Sequence, residues 1–261
     1  MTKNKVKYGD MFQIGDHVLI CGDATDLRIV EKVAKGIKIK AVISDFPYGI
    51  DYVASKRNFS QVKVDKDIIN DGLMSEKVYA KFTEDLIKPI IPHLASKNAF
   101  YLFNGDKQIL ALREGMEKSG VHYSQTLLWA KSQPVIGRKD YLSMTELIGY
   151  GWFGKHKFRS VQDKSVLFCP KPSKNSYHPT QKPLKLMRQL ILNSTNINDY
   201  VYDPCAGSGS TGIACEQSLR KCVMIEMDPE YCQKIIDRFR KKFEIKTREI
   251  KINIKIDERK K

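Results

Sequence analysis

Four residues that could do chemistry stand at the end of an apolar run early in the chain. The segment Ala41–Tyr48 reads Ala-Val-Ile-Ser-Asp-Phe-Pro-Tyr, so a predicted strand leads into Asp45, Phe46, Pro47 and Tyr48. Open α/β sheets keep their ligand sites at the carboxyl ends of their strands. An acid and an aromatic ring at this position are candidate active-site residues, although such a tetrapeptide is by itself more typical of a simple turn.

A second segment has the form of a cofactor loop. Tyr200–Gly212 runs from an apolar strand into a turn of small residues and then into a helical pattern that begins near Ser210. Gly207 and Gly209 allow the backbone to approach a ligand closely, and the start of a helix supplies free N–H groups. The spacing matches neither of the common glycine-rich phosphate loops, and no lysine is present to hold nucleotide phosphates.

An acid ends the next predicted strand, Cys222–Glu226. Glu226 lies 23 residues after Asp203, an offset at which an acid accepts hydrogen bonds from ribose hydroxyls in dinucleotide folds. The loop and this acid together predict a cofactor that contains a nucleoside and lacks a phosphate chain.

Three spaced motifs resemble those of the amino-group DNA methyltransferases, which methylate adenine N6 or cytosine N4. Asp203–Thr211 resembles their cofactor loop, and His178–Pro183 (His-Pro-Thr-Gln-Lys-Pro) resembles their companion cofactor motif. Ile225–Tyr231 resembles the strand end that holds the ribose. The three motifs occur in the order that the family has.

The catalytic motif of the family has a counterpart upstream. Asp45–Tyr48 is similar to its Asp-Pro-Pro-Tyr motif, and Ile20–Asp23 is similar to the short strand whose acid approaches the cofactor's adenine. The catalytic motif precedes the cofactor loop, which resembles the circularly permuted β group. The resemblance spans roughly residues 9 to 243.

The resemblance implies S-adenosyl-L-methionine as the cofactor, with no metal ion and no covalent nucleophile. It implies Asp45, Phe46, Pro47 and Tyr48 as catalytic residues. The implied cofactor-binding residues are Asp23, His178, Thr180, Lys182, Asp203, Pro204, Cys205, Ala206, Gly207, Ser208, Gly209, Ser210, Thr211, Glu226 and Met227.

The implied chemistry explains the residue types of the catalytic motif. An exocyclic amine is a poor nucleophile because its lone pair is delocalised into the ring, so acceptors must favour a more tetrahedral nitrogen. By analogy with the family, the Asp45 carboxylate and the Phe46 backbone carbonyl are those acceptors. Tyr48 stacks on a base that has left the duplex. Phe46 replaces the family's usual proline, which retains the carbonyl and loses the ring constraint on the turn.

Asp45 favours adenine N6 as the target, because cytosine-N4 relatives usually carry serine at this position. Ser44 precedes it, but a shift of one residue would break the alignment of Pro47 and Tyr48. Three alternatives stay open: a cytosine-N4 methyltransferase, a DNA-binding relative with weakened catalysis, and a methyltransferase for RNA or a small molecule. The permuted order and the inserted segment favour duplex DNA.

The elements around these motifs predict a mostly parallel, doubly wound α/β sheet. The family resemblance implies that this sheet has the Rossmann-like fold of the S-adenosylmethionine-dependent methyltransferases, with the circularly permuted motif order. The predicted strands are Val18–Cys21, Ala41–Ser44, Ala99–Phe103, Thr126–Trp129, Val166–Phe168, Tyr200–Tyr202 and Cys222–Ile225. Two predicted helices bury one face each. These faces are Leu184, Met187, Leu190 and Ile191, with Pro183 in the first turn, and Tyr231, Ile235, Ile236 and Phe239, opened by Asp228–Glu230.

We expect one catalytic domain over residues 1–261. Residues 50–75 are polar and charged, as in a loop, and residues 131–180 lack sustained periodicity and are assigned to target recognition as an inserted segment. Residues 244–261 form a tail of uncertain structure. Its alternating isoleucines from Ile250 are compatible with an edge strand or with disorder.

The charge predicts a polyanionic partner, since 45 Lys and Arg against 30 Asp and Glu give a net charge of +15. Leu127–Lys131 is similar to a family segment that borders the base pocket, and Glu146 follows it as in relatives. Trp152 or Phe153 could stack on a base, and a solvated basic face with core aromatics is the alternative. The expected contacts with double-stranded DNA are Arg138, Lys139, Lys155, Lys157 and Arg159.

The compartment follows from the cysteines and the apolar segments. Six irregularly spaced cysteines without a C-x-x-C pair indicate reduced, mostly buried thiols rather than a zinc site or disulfides. No segment approaches the ~18 apolar residues of a membrane span. We therefore expect a cytoplasmic protein of bacterial or phage origin with no membrane association. The family resemblance adds a homodimer and a cognate restriction endonuclease as candidate partners.

Overall fold

The computed structural model describes residues 6–49, 72–134, 140–159, 162–170 and 181–250. Its strands are β1 (Met11–Ile14), β2 (His17–Cys21), β3 (Ile39–Asp45), β4 (Leu94–Asn104), β5 (Val121–Ala130), β6 (Thr145–Phe153), β7 (Val166–Phe168), β8 (Tyr200–Asp203), β9 (Lys221–Glu226) and β10 (Thr247–Ile250). Its helices are α1 (Leu27–Ala34), α2 (Glu76–Ile87), α3 (Ile109–Lys118), α4 (Leu184–Ser194), α5 (Ser210–Gln217), α6 (Pro229–Phe243) and a 3-10 helix (Lys88–His93).

The strands form one mixed sheet in the order β10-β1-β2-β9-β8-β3-β4-β6-β5-β7. The five central strands, β2, β9, β8, β3 and β4, are parallel to one another. On one side β1 and β10 continue the sheet in antiparallel fashion, and on the other side β6 lies antiparallel between β4 and β5. This topology confirms the predicted α/β class with a mostly parallel, Rossmann-like centre.

Helices cover both faces of the central strands. On one face, Leu190, Ile213 and Ile235 of α4, α5 and α6 share an apolar cluster with Ile43 and Met224 of the sheet. On the other face, α1, α2 and α3 contribute to a second cluster. Strands that are buried on both faces must be apolar at nearly every position, and β3 and β9 therefore read as continuous hydrophobic runs.

Both predicted helix faces are confirmed. In α4, three of the four predicted residues are buried and Leu184 packs against the same cluster. Pro183 occupies the capping position before the first turn rather than the turn itself. In α6, all four predicted residues are buried, and Asp228 caps the helix by accepting a hydrogen bond from the Glu230 N–H.

All of the predicted strands are present, whereas β1 and β6 were not predicted from the sequence. The segment 131–180 is therefore not a continuous insertion, because β6 lies inside the sheet. Gly149 and Gly151 interrupt its apolar pattern. A Cβ at Gly151 would lie 2.1 Å from the His122 carbonyl oxygen of β5, so the close approach of the two strands requires glycine. The recognition role of the rest of the segment stays a prediction.

The start of the tail is an edge strand. β10 pairs antiparallel with β1, with Ile250 opposite Met11. This confirms the edge-strand alternative for these residues, whereas residues 251–261 and most of the predicted loop 50–75 lie outside the described ranges. None of the helices in those ranges has both the length and the apolar character needed to cross a membrane.

Gly151→Ala is expected to lower the free energy of unfolding by about 1–3 kcal/mol, because the added methyl group must displace the β5 backbone rather than a flexible side chain. Urea unfolding followed by circular dichroism measures the change. Gly72→Ala is the matched control, since a Cβ at that position has no heavy atom within 4 Å. Equal stability of the two variants would contradict the close strand contact.

Candidate active site

Four acidic residues from distant parts of the sequence lie at the carboxyl ends of the parallel strands, which form one edge of the sheet. β2, β9, β8 and β3 are parallel neighbours, so their carboxyl ends lie side by side. Asp45, Asp203 and Glu226 are the last residues of their strands, and Asp23 follows the end of β2. The edge thus combines the predicted catalytic acid with the acids of the predicted cofactor site.

The Asp203 carboxylate fixes the turn that follows β8. Its Oδ1 accepts hydrogen bonds from the Ser44 hydroxyl (2.6 Å) and the Cys205 N–H (3.2 Å), and its Oδ2 accepts one from the Thr211 hydroxyl (2.5 Å). Burial raises the pKa of Asp203 to about 6, although these donors act in the opposite direction. Asp203 connects the loop, the start of α5 and the residue before Asp45.

Glu226 holds the same loop from the neighbouring strand. Its carboxylate accepts hydrogen bonds from the N–H groups of Gly207 (2.7 Å) and Asp228 (2.9 Å). Burial raises the pKa of Glu226 to about 7 in spite of these bonds. Gly207 and Gly209 have φ angles of 53° and 74°, a left-handed conformation that glycine adopts without strain. The loop is the tight turn that the sequence predicted.

Arg238 is a buried cation at this loop that the sequence analysis did not include. Its Nη1 donates a hydrogen bond to the Ser208 carbonyl oxygen at 2.7 Å and lies 3.3 Å from the Ser210 hydroxyl. Arg238 belongs to the buried face of α6 together with Ile235 and Phe239. An arginine inside an apolar helical stripe is the sequence signal that could have found it, because arginine is rarely buried without partners.

Asp23 forms a turn of its own after β2. Its Oδ1 accepts hydrogen bonds from the N–H and the hydroxyl of Thr25, each at 2.8 Å, and its N–H donates to the Tyr8 hydroxyl at 3.1 Å. The preceding Gly22 donates its N–H to the Glu226 carbonyl oxygen at 2.9 Å. The turn is therefore attached to the strand end that carries the predicted ribose-binding acid.

The predicted cofactor residues fall into three groups. Those at the ends of β2, β8 and β9 are Asp23, Asp203–Thr211, Glu226 and Met227. His178 and Thr180 lie outside the described residues. Lys182 belongs to the adjoining pocket, where its ammonium contacts Asp45 and Glu146.

Charged side chains of alternating sign lie beside Tyr48. Lys182 Nζ is 2.5 Å from Asp45 Oδ2 and 3.1 Å from Glu146 Oε2. Glu146 Oε1 is 2.7 Å from Lys131 Nζ, and its Oε2 accepts a hydrogen bond from the Tyr48 hydroxyl at 3.1 Å. Lys131 was predicted to border the base pocket, and Glu146 was noted only as following it as in relatives. The contact between these two side chains was not predicted. We refer to Asp45, Lys182, Glu146 and Lys131 as the ion chain.

Burial and charge oppose each other in the ion chain. Burial raises the pKa of Asp45 and Glu146 adds to the increase, while Lys182 lowers it, and the net shift is upward. Burial also raises the pKa of Glu146, but Lys182 and Lys131 outweigh it and the net shift is downward. Burial lowers the pKa of Lys182, but the two carboxylates outweigh it and the net shift is upward. Glu146 and Lys182 are therefore both ionised at neutral pH.

Asp45 Oδ1 is a buried acceptor without a hydrogen-bond partner among the described residues. Buried polar atoms are normally paired, so an unpaired acceptor suits a site that receives a donor from a ligand. Tyr48 is partly buried beside this carboxylate, and the Lys182 ammonium lies 5.7 Å from the centre of its ring. The pocket combines a hydrogen-bond acceptor with an aromatic side chain.

Phe46 and Pro47 occupy different environments after Asp45. The Phe46 side chain is 1% exposed and belongs to the core on the face covered by α1, α2 and α3. Pro47 is partly exposed. The phenylalanine that replaces the family's usual proline is thus a packing residue. Its burial restrains the turn through tertiary contacts instead of through a pyrrolidine ring.

Three of the predicted DNA contacts lie away from this edge. The carbonyl oxygen of Lys155 accepts a hydrogen bond from the N–H of Asn98, in the first half of β4. The N–H of Arg159 donates to the carbonyl oxygen of Asn193 near the end of α4. Lys157 lies between them in sequence. The catalytic pocket lies at the carboxyl end of β4, where Phe103 pairs with Asp45, five residues or about 17 Å along the strand from Asn98. Their contact with the DNA around a target base is therefore not supported, and contact with more distant DNA stays a prediction.

The other predicted contacts do not complete a DNA surface either. Arg138 and Lys139 lie outside the described residues. The Trp152 ring stacks on His156 with 3.7 Å between ring centroids and packs against the core. The Phe153 N–H donates to the Asn98 side chain at 2.9 Å. The alternative of core aromatics fits Trp152 and Phe153 better than base stacking does.

The cysteines are mostly buried, as predicted. Cys205 in the cofactor loop is partly exposed, and the other cysteines are buried. Across the described ranges, His, Cys, Asp and Glu side chains form no group of three or more that could hold a metal ion.

Residues 39–237 match the family model of the N6/N4 DNA methylases. The chain belongs to this family. The matched residues include Asp45, the loop Asp203–Thr211 and Glu226, and the match confirms the predicted amino-group DNA methyltransferase family. Assignment to the circularly permuted group stays a prediction.

Curated relatives are similar over most of the chain. The type II methyltransferase M2.LlaDCHI of Lactococcus lactis subsp. cremoris is 24% identical over 88% of this chain and 94% of its own length. The type II methyltransferase M.HpaI of Haemophilus parainfluenzae is 25% identical over 87% of this chain and 76% of its own. The DNA adenine methyltransferase YhdJ of Escherichia coli (strain K12) is 29% identical over 62% of this chain and 46% of its own.

Solved structures share the fold. The complex of M1.HpyAVI with SAM is 25% identical and has a TM-score of 0.62, over 84% of this chain and 98% of that chain. The cytosine-N4-specific PvuII DNA methyltransferase is 18% identical and has a TM-score of 0.66, over 91% of this chain and 89% of that chain. The fold alone therefore does not separate the two base specificities.

Glu226→Gln is expected to change how the stability of the ligand-free protein depends on pH. The folded-state pKa of Glu226 is about 7 and the ordinary value is 4.5, so the folded state binds a proton that the unfolded state releases between these pH values. The stability that this proton supplies is lost as the pH rises. Wild type should lose roughly 1–3 kcal/mol more than the variant between about pH 5 and pH 8.

Urea unfolding without ligand at both pH values measures this difference. Glu249→Gln, at an exposed position of β10, is the control and should follow wild type. The assignment is wrong if Glu226→Gln has the same pH dependence as wild type.

Proposed function

We propose that this chain transfers the methyl group of S-adenosylmethionine to the N6 amino group of adenine in double-stranded DNA. The observation that carries the proposal is Asp45, whose Oδ1 is buried without a hydrogen-bond partner among the described residues, beside the Tyr48 side chain. A flipped-out base with an exocyclic amine requires an acceptor and an aromatic surface. Membership of the N6/N4 DNA methylase family supplies the reaction class.

The residues at the ends of β2, β8 and β9 are proposed to hold the cofactor. Glu226 accepts one hydrogen bond at each oxygen from the main chain, which leaves lone pairs for ribose hydroxyls. The related M1.HpyAVI was solved with SAM. When bound, this cofactor supplies an electrophilic methyl group on a positively charged sulfur. The acidic edge formed by Asp45, Asp203 and Glu226 suits a cation of this kind.

Asp45 has two tasks in the proposed reaction. Its Oδ1 accepts a hydrogen bond from the amine, which directs the nitrogen lone pair out of the ring system. Its negative charge stabilises the positive charge that develops on nitrogen as the N–C bond forms, and a carboxylate oxygen or a water molecule takes the departing proton. The Phe46 backbone carbonyl is the second proposed acceptor, and Tyr48 supports the base by stacking.

Adenine is favoured over cytosine because Asp45 occupies the first position of the motif. The hydroxyl of the neighbouring Ser44 already donates a buried hydrogen bond to Asp203 at 2.6 Å. Ser44 is therefore not available as the serine that cytosine-N4 enzymes carry. The likeness to a DNA adenine methyltransferase supports the same choice. Cytosine N4 remains the alternative, supported by the shared fold of the PvuII enzyme.

A catalytically weakened relative is the second alternative, motivated by Phe46. The side chain fits the core and leaves Asp45 and Tyr48 in one pocket, which argues for an active enzyme. Duplex DNA is the proposed substrate. The type II relatives make a cognate restriction endonuclease and a cytoplasmic location part of the proposal, and a homodimer is proposed from the family resemblance.

Expression in a host without DNA methylation, followed by single-molecule sequencing, should reveal N6-methyladenine within one short sequence. Asp45→Ala should lower the methylation rate by about 100-fold or more, because it removes the acceptor for the amine. Its affinity for the cofactor in calorimetry should stay close to that of wild type. Asp16→Ala is the control, since Asp16 is exposed between β1 and β2 at the opposite edge of the sheet.

The outcomes separate the alternatives. N4-methylcytosine would overturn the base assignment and leave the reaction class in place. Cofactor binding without any DNA modification would favour the weakened relative, and full activity of Asp45→Ala would refute the role of Asp45.

A further inference from the structure

We infer that Lys182 and Glu146 are positioning residues that hold Asp45 and Tyr48 in the arrangement required for methyl transfer, with Lys131 anchoring Glu146. The inference rests on the proposed function. The inference concerns how the Asp45 carboxylate, the proposed acceptor for the target amine, is kept ionised and oriented. Lys182 was assigned to the cofactor by resemblance, and its contacts in the structure favour this different role.

The ion chain joins four separate parts of the fold. Asp45 ends β3, Lys131 follows β5, Glu146 belongs to β6 and Lys182 precedes α4. The contacts run from Asp45 to Lys182 (2.5 Å), from Lys182 to Glu146 (3.1 Å) and from Glu146 to Lys131 (2.7 Å). Each interior member contacts opposite charges on both sides.

Burial makes these contacts obligatory. The side chains of Lys182 and Lys131 are only 5% and 4% exposed, and those of Asp45 and Glu146 are 23% and 19% exposed. Removing one partner from a buried ion pair leaves an uncompensated charge, which is strongly unfavourable. The ammonium of Lys182 therefore stays with the two carboxylates rather than turning to solvent.

Lys182 makes the two oxygens of Asp45 different. The ammonium binds Oδ2, whereas Oδ1 has no hydrogen-bond partner in the described part of the chain. A strong charge-assisted bond to one oxygen fixes the plane of the carboxylate. The remaining oxygen is then presented to the target amine in a defined direction.

Glu146 links this carboxylate to the aromatic side chain. Its Oε2 receives both the Lys182 ammonium and the Tyr48 hydroxyl, each at 3.1 Å. Lys131 holds the other oxygen. One carboxylate thus sets the positions of the proposed stacking ring and of the cation that orients the acceptor.

The two positioning residues act on Asp45 with opposite charge. Among the described residues, the titratable groups that interact with Asp45 are Tyr48, Lys182 and Glu146 in the pocket, Asp203 on β8 and Cys205 in the cofactor loop. Burial raises the Asp45 pKa, Lys182 lowers it and Glu146 raises it. Loss of Lys182 should therefore shift the protonation of Asp45 to higher pH, and loss of the Glu146 charge should shift it to lower pH.

Lys182→Met and Glu146→Gln test this arrangement, with Lys185→Met as the control at an exposed position three residues away. The rate of a single turnover is measured from about pH 5.5 to pH 9 with saturating cofactor and a duplex that contains the mapped site. Both variants should lower the rate at least about 10-fold with cofactor affinity within about threefold of wild type. The acidic limb should move to higher pH in Lys182→Met and to lower pH in Glu146→Gln.

A titration that does not depend on activity accompanies the kinetics. Carbon NMR of labelled aspartate, assigned through Asp45→Asn, gives the Asp45 pKa in each protein, and thermal unfolding checks that each is folded. If Lys182→Met does not fold, the Asp45 pKa in Glu146→Gln tests the inference, because this variant keeps the shape of the side chain.

Each result has a defined meaning. Opposite shifts of the Asp45 pKa support the inference. It is overturned by an unchanged Asp45 pKa, or by a variant of Lys182 that only weakens cofactor binding at an unchanged turnover rate. If wild type methylates no DNA, the proposed function fails, and the titration still decides whether the ion chain controls Asp45.

Discussion

The hydrogen bonds to the buried Asp203 carboxylate join the two halves of the candidate active site. Ser44 belongs to the strand that ends in Asp45, and Thr211 belongs to the helix that follows the cofactor loop, and both donate to this one acid. A buried carboxylate without such donors would be costly, so the contacts are required for stability as well as for geometry. The positions of β3, of the loop and of α5 are consequently interdependent.

The net charge of the chain conceals a local division of charge. The protein as a whole is strongly basic, but the edge at which β2, β9, β8 and β3 end presents acids. Lys131 and Lys182 are buried within this acidic region and compensate it locally. A long-range positive field that attracts a polyanion is therefore compatible with a pocket whose inner surface suits a cation.

Sequence patterns predicted the parts of the fold that depend on local rules. Strands such as β3 and β9 were predictable because burial on both faces requires unbroken apolar runs. β6 was missed because two glycines, Gly149 and Gly151, interrupt its apolar pattern. Gly151 is required by the close approach of β5, a tertiary contact that local sequence patterns do not reveal. Clustered basic residues such as Lys155 and Lys157 suggested a DNA surface, but the direction of β6 carries them to the far end of the sheet.

The candidate site was predictable to a similar extent. Motifs located Asp45, the cofactor loop and Glu226, because each lies at the end of a strand that the apolar pattern of the sequence predicts. The contacts of Lys182 with Asp45 and Glu146 were not predictable, since they depend on how three distant segments pack. Arg238 was predictable in part. The sequence places it on an apolar helix face, but its hydrogen bond to Ser208 of the cofactor loop depends on tertiary packing.

The burial of Phe46 has a consequence for how the active-site turn responds to temperature. A proline restrains its own backbone covalently, and that restraint persists when the surrounding protein loosens. Phe46 depends on the side chains around it in the core beneath α1, α2 and α3. Pro47 still restrains the turn covalently, but the position of Phe46 depends on the packing of that layer. As heating weakens the layer, the order of the turn at Phe46 decreases with it, so the catalytic turn is linked to the cooperative unfolding of the core.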